Sequence, residues 1–231
     1  MEVTFRSVTI EDIDSISEEY ERTWGIPDIV GKEASKELSK RFVMHYMEPS
    51  THGIIAQSNG KFMGLLFSRV FEDKVLFPQL RDMIKKQDEM MLENPDPNFS
   101  KALHAAKSMR AIETKLEAKS HINDLTQAEL ELFIVSPESR GHGVGGRLWK
   151  QTMQMLRSKG VSRYYLHTDT ACDVSFYDYH GLRKDAVWCR KDNANKAIYS
   201  NYSDSKYLVD DLFIYSGEPF CSRTKRHEQN K

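Results

Sequence analysis

From Val135 to Leu148 the chain reads Val-Ser-Pro-Glu-Ser-Arg-Gly-His-Gly-Val-Gly-Gly-Arg-Leu. Gly141, Gly143, Gly145 and Gly146 therefore stand between a strand-like run and an amphipathic one. Glycines there let backbone N–H groups converge on an anion at the positive end of a helix, an arrangement suited to phosphate. A Walker loop needs Lys and then Ser or Thr after its last glycine, and Arg147 and Leu148 occupy those places. Gly141-x-Gly143-x-x-Gly146 also spells the dinucleotide fingerprint, with Asp169 at a suitable distance for a ribose hydroxyl. In that fold, however, the first glycine follows directly on a strand buried on both faces. Here Ser136 to Arg140 intervene, Glu129 and Glu131 alternate with Leu130 and Leu132, and the 85 residues after Gly146 lack further regular strand–helix repeats.

The elements that position this loop are legible around it. Val3–Val8 alternates like a strand, and Thr9-Ile10-Glu11-Asp12 places an acid three residues after a capping Thr, which predicts a helix over 10–24 striped by Ile13, Ile16, Tyr20 and Trp24. A second helix is predicted over 32–47. Apolar runs at 53–57 and 61–67 flank Ser58-Asn59-Gly60, a strong hairpin signal. From Glu72 to Asp124 a helical period dominates, broken by Asn94-Pro95-Asp96-Pro97-Asn98, which predicts a helical hairpin. Its nine acidic and nine basic residues between Glu72 and Ile122 cancel, so it reads as a solvated amphipathic element rather than a charged docking surface. Then come a strand at 128–135, the glycine loop, a helix at 144–158, a strand at 162–168 and a short helix near 173–179. Closing strands are predicted at 186–189 and 207–215, and the polar tail 222–231 reads as disordered.

With 231 residues the chain can bury a sizeable core as a single domain over 1–221. A formal net charge of −1 leaves no global basic field for nucleic acid. Cys172, Cys189 and Cys221 are odd in number, far apart and not in C-x-x-C pairs, which argues against a disulfide framework and a zinc ribbon. No apolar run approaches the roughly 18 residues of a membrane span, and no secretory leader is evident, so a cytoplasmic protein is expected.

Read as Val135-x-Pro137-x-x-Arg140-Gly-x-Gly143-x-Gly145-x-x-Leu148, the loop resembles the acyl-CoA loop of the GNAT superfamily of N-acetyltransferases, Gln/Arg-x-x-Gly-x-Gly/Ala. Ala128-Glu129-Leu130 is similar to that superfamily's fourth strand, and Phe176-Tyr177-Asp178-Tyr179-His180-Gly181-Leu182 to its Phe-Tyr-Glu-x-x-Gly-Phe. The resemblance covers about 1–71 and 125–216, and the 72–124 hairpin departs from it. It implies an α/β fold with a mixed, mostly antiparallel central sheet flanked by helices, the hairpin being inserted between the third and fourth strands.

The resemblance further implies acetyl-CoA as co-substrate, with the pantetheine arm on the backbone of Phe133, Ile134 and Val135. The pyrophosphate would lie on amides of the segment Arg140, Gly141, His142, Gly143, Val144, Gly145 and Gly146. Arg147 and Lys150 are either further phosphate contacts or a solvated helix face. Acetylating an amine requires a base for the ammonium and an acid for the departing thiolate. Tyr177 matches the position from which the superfamily protonates the thiolate. Glu129 and Glu131, on one strand face by the period of two, resemble the acid some members use as base. His167 reads as structural and Thr170-x-x-Asp173 as a helix cap standing where many members carry Asn. No metal is implied. The expected activity is transfer of acetyl to a primary amine of a small molecule or peptide by direct attack, the alternative being a catalytically idle CoA-binding sensor or interaction module. The hairpin is expected to be either a lid over the acceptor cleft or the arm of a homodimer.

Overall fold

The computed structural model describes residues 2–193 and 211–220. Strand β1 (Thr4–Ser7) leads through a 3-10 turn at Ile10–Asp12 into α1 (Ile13–Trp24), and the Asp12 carboxylate accepts the Thr9 backbone N–H at 2.7 Å, as the capping pattern predicts. The same carboxylate takes both Arg6 guanidinium nitrogens, at 2.6 and 2.8 Å, which ties the helix start to the strand. Short α2 (Pro27–Val30) and long α3 (Lys32–Met47) follow. Asn59 and Gly60, both at positive φ, turn β2 (His52–Ser58) into β3 (Lys61–Val70).

The helical stretch becomes α4 (Leu80–Glu93), α5 (Pro97–Ser120) and α6 (Ile122–Leu125). Then come β4 (Ala128–Val135), α7 (Val144–Ser158), β5 (Tyr164–Asp169), α8 (Ser175–Tyr179), β6 (Arg183–Cys189), α9 (Arg190–Asn193) and β7 (Asp211–Gly217). The expected strand residues 207–210 and the tail 222–231 lie outside the described residues, as does Cys221.

Seven strands form one sheet in the order β1-β2-β3-β4-β5-β7-β6, antiparallel throughout except for the β4–β5 pair. Alternation sorts the strand residues onto two faces. Leu65 and Phe67 pack with Ile16 and Tyr20 of α1 and Val43 and Met47 of α3, while Leu66 packs with Leu148, Trp149 and Leu156 of α7. Much of the apolar stripe of α4 and α5 is buried in the same chain. Met91, Phe99, Leu103 and Ala106 join Val30, Ala34 and Leu38. Ile112 and Leu116 pack on Tyr165, Leu212 and Ile214 of the sheet. The hairpin therefore packs over one sheet face, with Leu76, Met90 and Leu92 left exposed.

Two irregularities in β4 create the site. Its neighbour β3 pairs Ser68 with Leu130 and Phe67 with Leu132, which leaves Glu131 as an extra residue in a bulge. On the other edge β4 pairs with β5 only at Ala128–Tyr164, Glu129–Tyr165 and Leu130–Leu166, although β4 runs on to Val135 and β5 to Asp169. Beyond Leu130 the two strands part, and the sheet is split.

Candidate active site

The glycine loop meets α7 at the split. Gly141 and Gly143 take φ of +78° and +65°, and a Cβ on either would meet nothing within 4 Å, so the surface over them is open. Gly143 is the N-cap of α7 and brings no side chain to its first turn, which also contains no acidic residue. Helix geometry leaves the amides of Val144, Gly145 and Gly146 without intrahelical acceptors. Buried Val144 and Leu148 fix the helix beneath them. Open glycines, free amides and a positive helix end fit a pyrophosphate, and Arg140 and His142 are exposed at the rim. Arg147 turns away, donating to the Val3 carbonyl at 2.9 Å and stacking on Phe5, so its contact is with β1. Lys150 stays exposed. Phe133, Ile134 and Val135 pair with β3 on one side only, leaving the split edge of their backbone for an extended ligand.

A cavity of about 650 Å³ runs through the split. Leu130 to Phe133 of β4 and Leu166 to Asp169 of β5 bound it, Tyr177 of α8 lies on one wall, and Ala105, Met109 and Glu113 of α5 on another. Tyr177 is partly buried, its ring 5.8 Å from those of Phe176 and Tyr215 and 6.3 Å from Trp149. Tyr179, two residues on, is exposed. Burial, with smaller contributions from Cys172 and Asp169, pushes the Tyr177 phenol up. Cys172 also borders the cavity, and burial first, then the Asp169 carboxylate, pushes its thiol up to about 11.

Behind the split lies a buried charged cluster. Arg69 of β3 hydrogen-bonds Glu129, which also accepts Tyr165 Oη at 2.7 Å. Arg69 Nε lies 2.9 Å from Glu131 Oε1, an ion pair off the angle of a hydrogen bond. From α5, Glu117 meets His167 Nε2 at 3.0 Å, and Arg110 reaches Glu113 at 3.5 Å and Glu117 at 3.3 Å. Burial raises Glu131 well above the ordinary carboxylate range and the Glu129 charge adds to it, with Arg69 and Arg110 opposing. Burial likewise raises Glu113, against the attraction of His167 and Arg110. For His167 burial works downward, but the Glu117 hydrogen bond and the charges of Glu113, Glu129 and Glu117 prevail and raise it. For Glu117 burial works upward and is outweighed by the His167 and Arg110 interactions, so its carboxyl is lowered.

The two expected glutamates thus differ: Glu131 borders the cavity, whereas Glu129 is committed to Arg69 and Tyr165. His167, expected to be structural, both borders the cavity and is anchored by α5. Ligand atoms of Glu117, Glu129 and His167 lie within 4.8 Å of one another; Glu129 is held by Arg69 and Tyr165 and Glu117 by His167 Nε2 and Arg110, so ion pairing accounts for the cluster, while His167 Nδ1 is buried without a hydrogen-bond partner. The expected Thr170–Asp173 cap is not formed. Thr170 Oγ1 accepts the Asp211 N–H at 3.4 Å, and α8 starts after Val174 with no side-chain cap, because Asp173 spends its carboxylate on Ser175. Arg69, Arg110, Glu113 and Glu117 were not foreseen. Arg69 had a signal, as the lone charge late in an apolar strand, and Arg110, Glu113 and Glu117 share a helical spacing of three and four.

Among the described residues no helix is long and apolar enough to cross a membrane. Comparison with curated proteins gives no match. Among solved structures, arylalkylamine N-acetyltransferase 2 from Aedes aegypti is similar in fold, at TM-score 0.55 and 14% identity over 95% of this chain and 100% of that one. The ribosomal-protein-S18-alanine N-acetyltransferase from Escherichia coli gives 0.52 and 13% over 97% and 98%. The family model for the Acetyltransferase (GNAT) family matches residues 13–181, a span that includes α1, the split, the glycine loop and Tyr177. The chain belongs to that family, whose members are acyl-CoA-dependent N-acetyltransferases.

Proposed function

We propose that this protein transfers acetyl from acetyl-CoA to a primary amine by direct attack, with Tyr177 as the acid and Glu131 as the base. The observation that carries the reading is the continuity of one cavity past the β4–β5 split, with Tyr177 and Glu131 both on its wall. The amides from Gly141 to Gly146 hold the pyrophosphate, and the free edge of Phe133 to Val135 pairs with the pantetheine arm. Bound acetyl-CoA supplies an acyl carbon activated as a thioester.

Glu131 takes a proton from the ammonium so that the amine nitrogen has its lone pair. Its burial suits this, since a carboxylate raised above the ordinary range is a stronger base than an exposed one. As the C–N bond forms and the C–S bond breaks, Tyr177 gives its phenolic proton to the leaving sulfur. A phenol pushed up by burial keeps that proton until then. Glu129 and Arg69 position Glu131 and do not meet the substrate. We read the helices between β3 and β4 as part of the same catalytic domain, since α5 supplies a cavity wall.

The test is a pair of measurements on the full chain. Acetyl-CoA at a hundredfold excess over its Kd should stabilise by about 2.7 kcal/mol, with NAD giving no shift. A panel of primary amines should then release free CoA thiol. Stabilisation without thiol release from any amine supports the sensor reading instead, and equal stabilisation by NAD removes the CoA assignment.

A further inference from the structure

The cavity is lined by two chemically different groups of side chains. One is aromatic: Tyr20 and Trp24 of α1 and Phe42 and Tyr46 of α3 border it, with ring centroids 4.9 Å apart for Tyr20–Trp24, 5.7 Å for Tyr20–Phe42 and 6.3 Å for Phe42–Tyr46. The other is acidic: Glu113 of α5, Glu131 of the β4 bulge and Asp169 at the end of β5 border it, with His167 and Arg190 as the basic groups of the lining among the described residues and with Arg110 and Arg69 pairing Glu113 and Glu131 from behind. Beyond burial and the mutual interaction of the two phenols, the charges of Glu113 and Asp169 raise both Tyr20 and Tyr46.

We propose, on the footing of the transferase reading, that the acceptor is a primary amine joined by a short alkyl chain to an aromatic ring. The ring lies on the Trp24, Phe42 and Tyr46 wall, and the ammonium sits among Glu131, Glu113 and Asp169. A ring gains apolar burial and edge or face contacts from such a wall. An ammonium at the far end meets the carboxylate that deprotonates it. An amino acid would bring its own carboxylate against three others, and a linear polyamine would carry a second charge onto an apolar wall. A peptide N-terminus needs an open groove, and here α5 closes that side with Ala105, Met109 and Glu113.

Thiol release at saturating acetyl-CoA, compared across 2-phenylethylamine, tryptamine, hexylamine, spermidine and phenylalanine, tests this. The expected result is a kcat/KM for 2-phenylethylamine or tryptamine about tenfold above hexylamine, the size of an aromatic contact, with spermidine and phenylalanine lower still. Because the ratio is measured within one protein, it does not depend on a variant folding. In Trp24→Leu the ratio should shrink toward one, the acetyl-CoA shift in Tm showing that the variant is folded. Thiol release that is equal or better with hexylamine, spermidine or phenylalanine overturns the aromatic assignment and leaves the transferase reading standing. No release with any amine overturns both.

Discussion

The glycine loop and the charged cluster beneath α5 are the two halves of the proposed site, and they are built on opposite principles. The loop works by omission. Gly141, Gly143 and Gly146 are exposed, with nothing within 4 Å of where a Cβ would stand on any of them, and its chemistry belongs to the backbone. The cluster works by density: Arg69, Arg110, Glu113, Glu117, Glu129, Glu131, Tyr165 and His167 come from β3, α5, β4 and β5, and their carboxylates are almost wholly buried. A backbone site tolerates change except where bulk or charge enters the nest. A buried charged site depends on every partner, because removing one leaves another charge unpaired in a poor solvent. Substitutions in the loop should therefore alter ligand binding at little cost in stability, and substitutions in the cluster should do the reverse unless they touch the base itself.

Arg69→Met gives the largest effect expected. It leaves Glu129 and Glu131 buried without their shared cation, a loss of about 3–5 kcal/mol in denaturant unfolding. A loss under 1 kcal/mol would mean that water reaches the carboxylates and that the cluster is not the stability centre described. Glu131→Gln removes no cation and keeps the shape, so its cost should appear in catalysis, as a fall in kcat of about 10³-fold with acetyl-CoA binding retained. A tenfold fall or less would return the base to another group on the cavity wall, His167 first.

In the loop, Gly143→Glu puts bulk at a positive φ and a negative charge in the anion nest. The acetyl-CoA shift in Tm, about 2.7 kcal/mol of stabilisation at a hundredfold excess over Kd, should vanish, while unfolding without ligand changes by about 1–2 kcal/mol. If the shift survives, the pyrophosphate lies elsewhere. Tyr177→Phe crosses both halves of the comparison. It removes one oxygen from an aromatic wall, so kcat should fall about 10²-fold with stability and acetyl-CoA binding nearly unchanged. A variant as fast as the parent would make Tyr177 a packing residue.

The contrast also explains what the sequence revealed. Local signals carried the loop: four glycines in six residues before a helix, with Val135 and Pro137 ahead of them, have few other uses. The hairpin turn, α1, α3, β4 and α7 were legible for the same reason, since caps, turn residues and apolar periods lie within a few residues of one another. The cluster is a long-range object. Arg69 and Glu129 are 60 positions apart, and Glu117 and His167 are 50 apart, so no local pattern joins them. The split and the bulge were hidden too, because period-two alternation in Ala128-Glu-Leu-Glu-Leu reads as an ordinary strand until the pairing with β3 shows Glu131 as the extra residue. For α5, the stripe gave the helix but not its destination, which is the sheet face at Tyr165 and Leu212.

The smallest expected effect concerns how α5 holds His167. Its imidazole is raised, despite burial, by the Glu117 hydrogen bond and by the charges of Glu113, Glu129 and Glu117, with Arg110 and Tyr165 packed beside the same group. A histidine raised in the folded state contributes stability that is fully present below its unfolded value, near 6.5, and is lost as pH rises through the folded value. Glu117 is lowered in the folded state, so its contribution is present above its unfolded value, near 4.5, and is lost as pH falls through the folded one. The pair is therefore worth most between about pH 5 and 6.5 and weakens on both sides, as Glu117 gains its proton in acid and His167 loses its own in alkali. Glu117→Gln keeps a hydrogen-bond acceptor and deletes the charge. Its cost in urea unfolding should be about 2 kcal/mol at pH 6, where a charged bond is lost, and should shrink as pH rises through the folded value of His167. A cost of about 1 kcal/mol or less at pH 6 that does not change at alkaline pH would show that the bond carries no imidazolium and that α5 is held to the sheet by its apolar stripe alone.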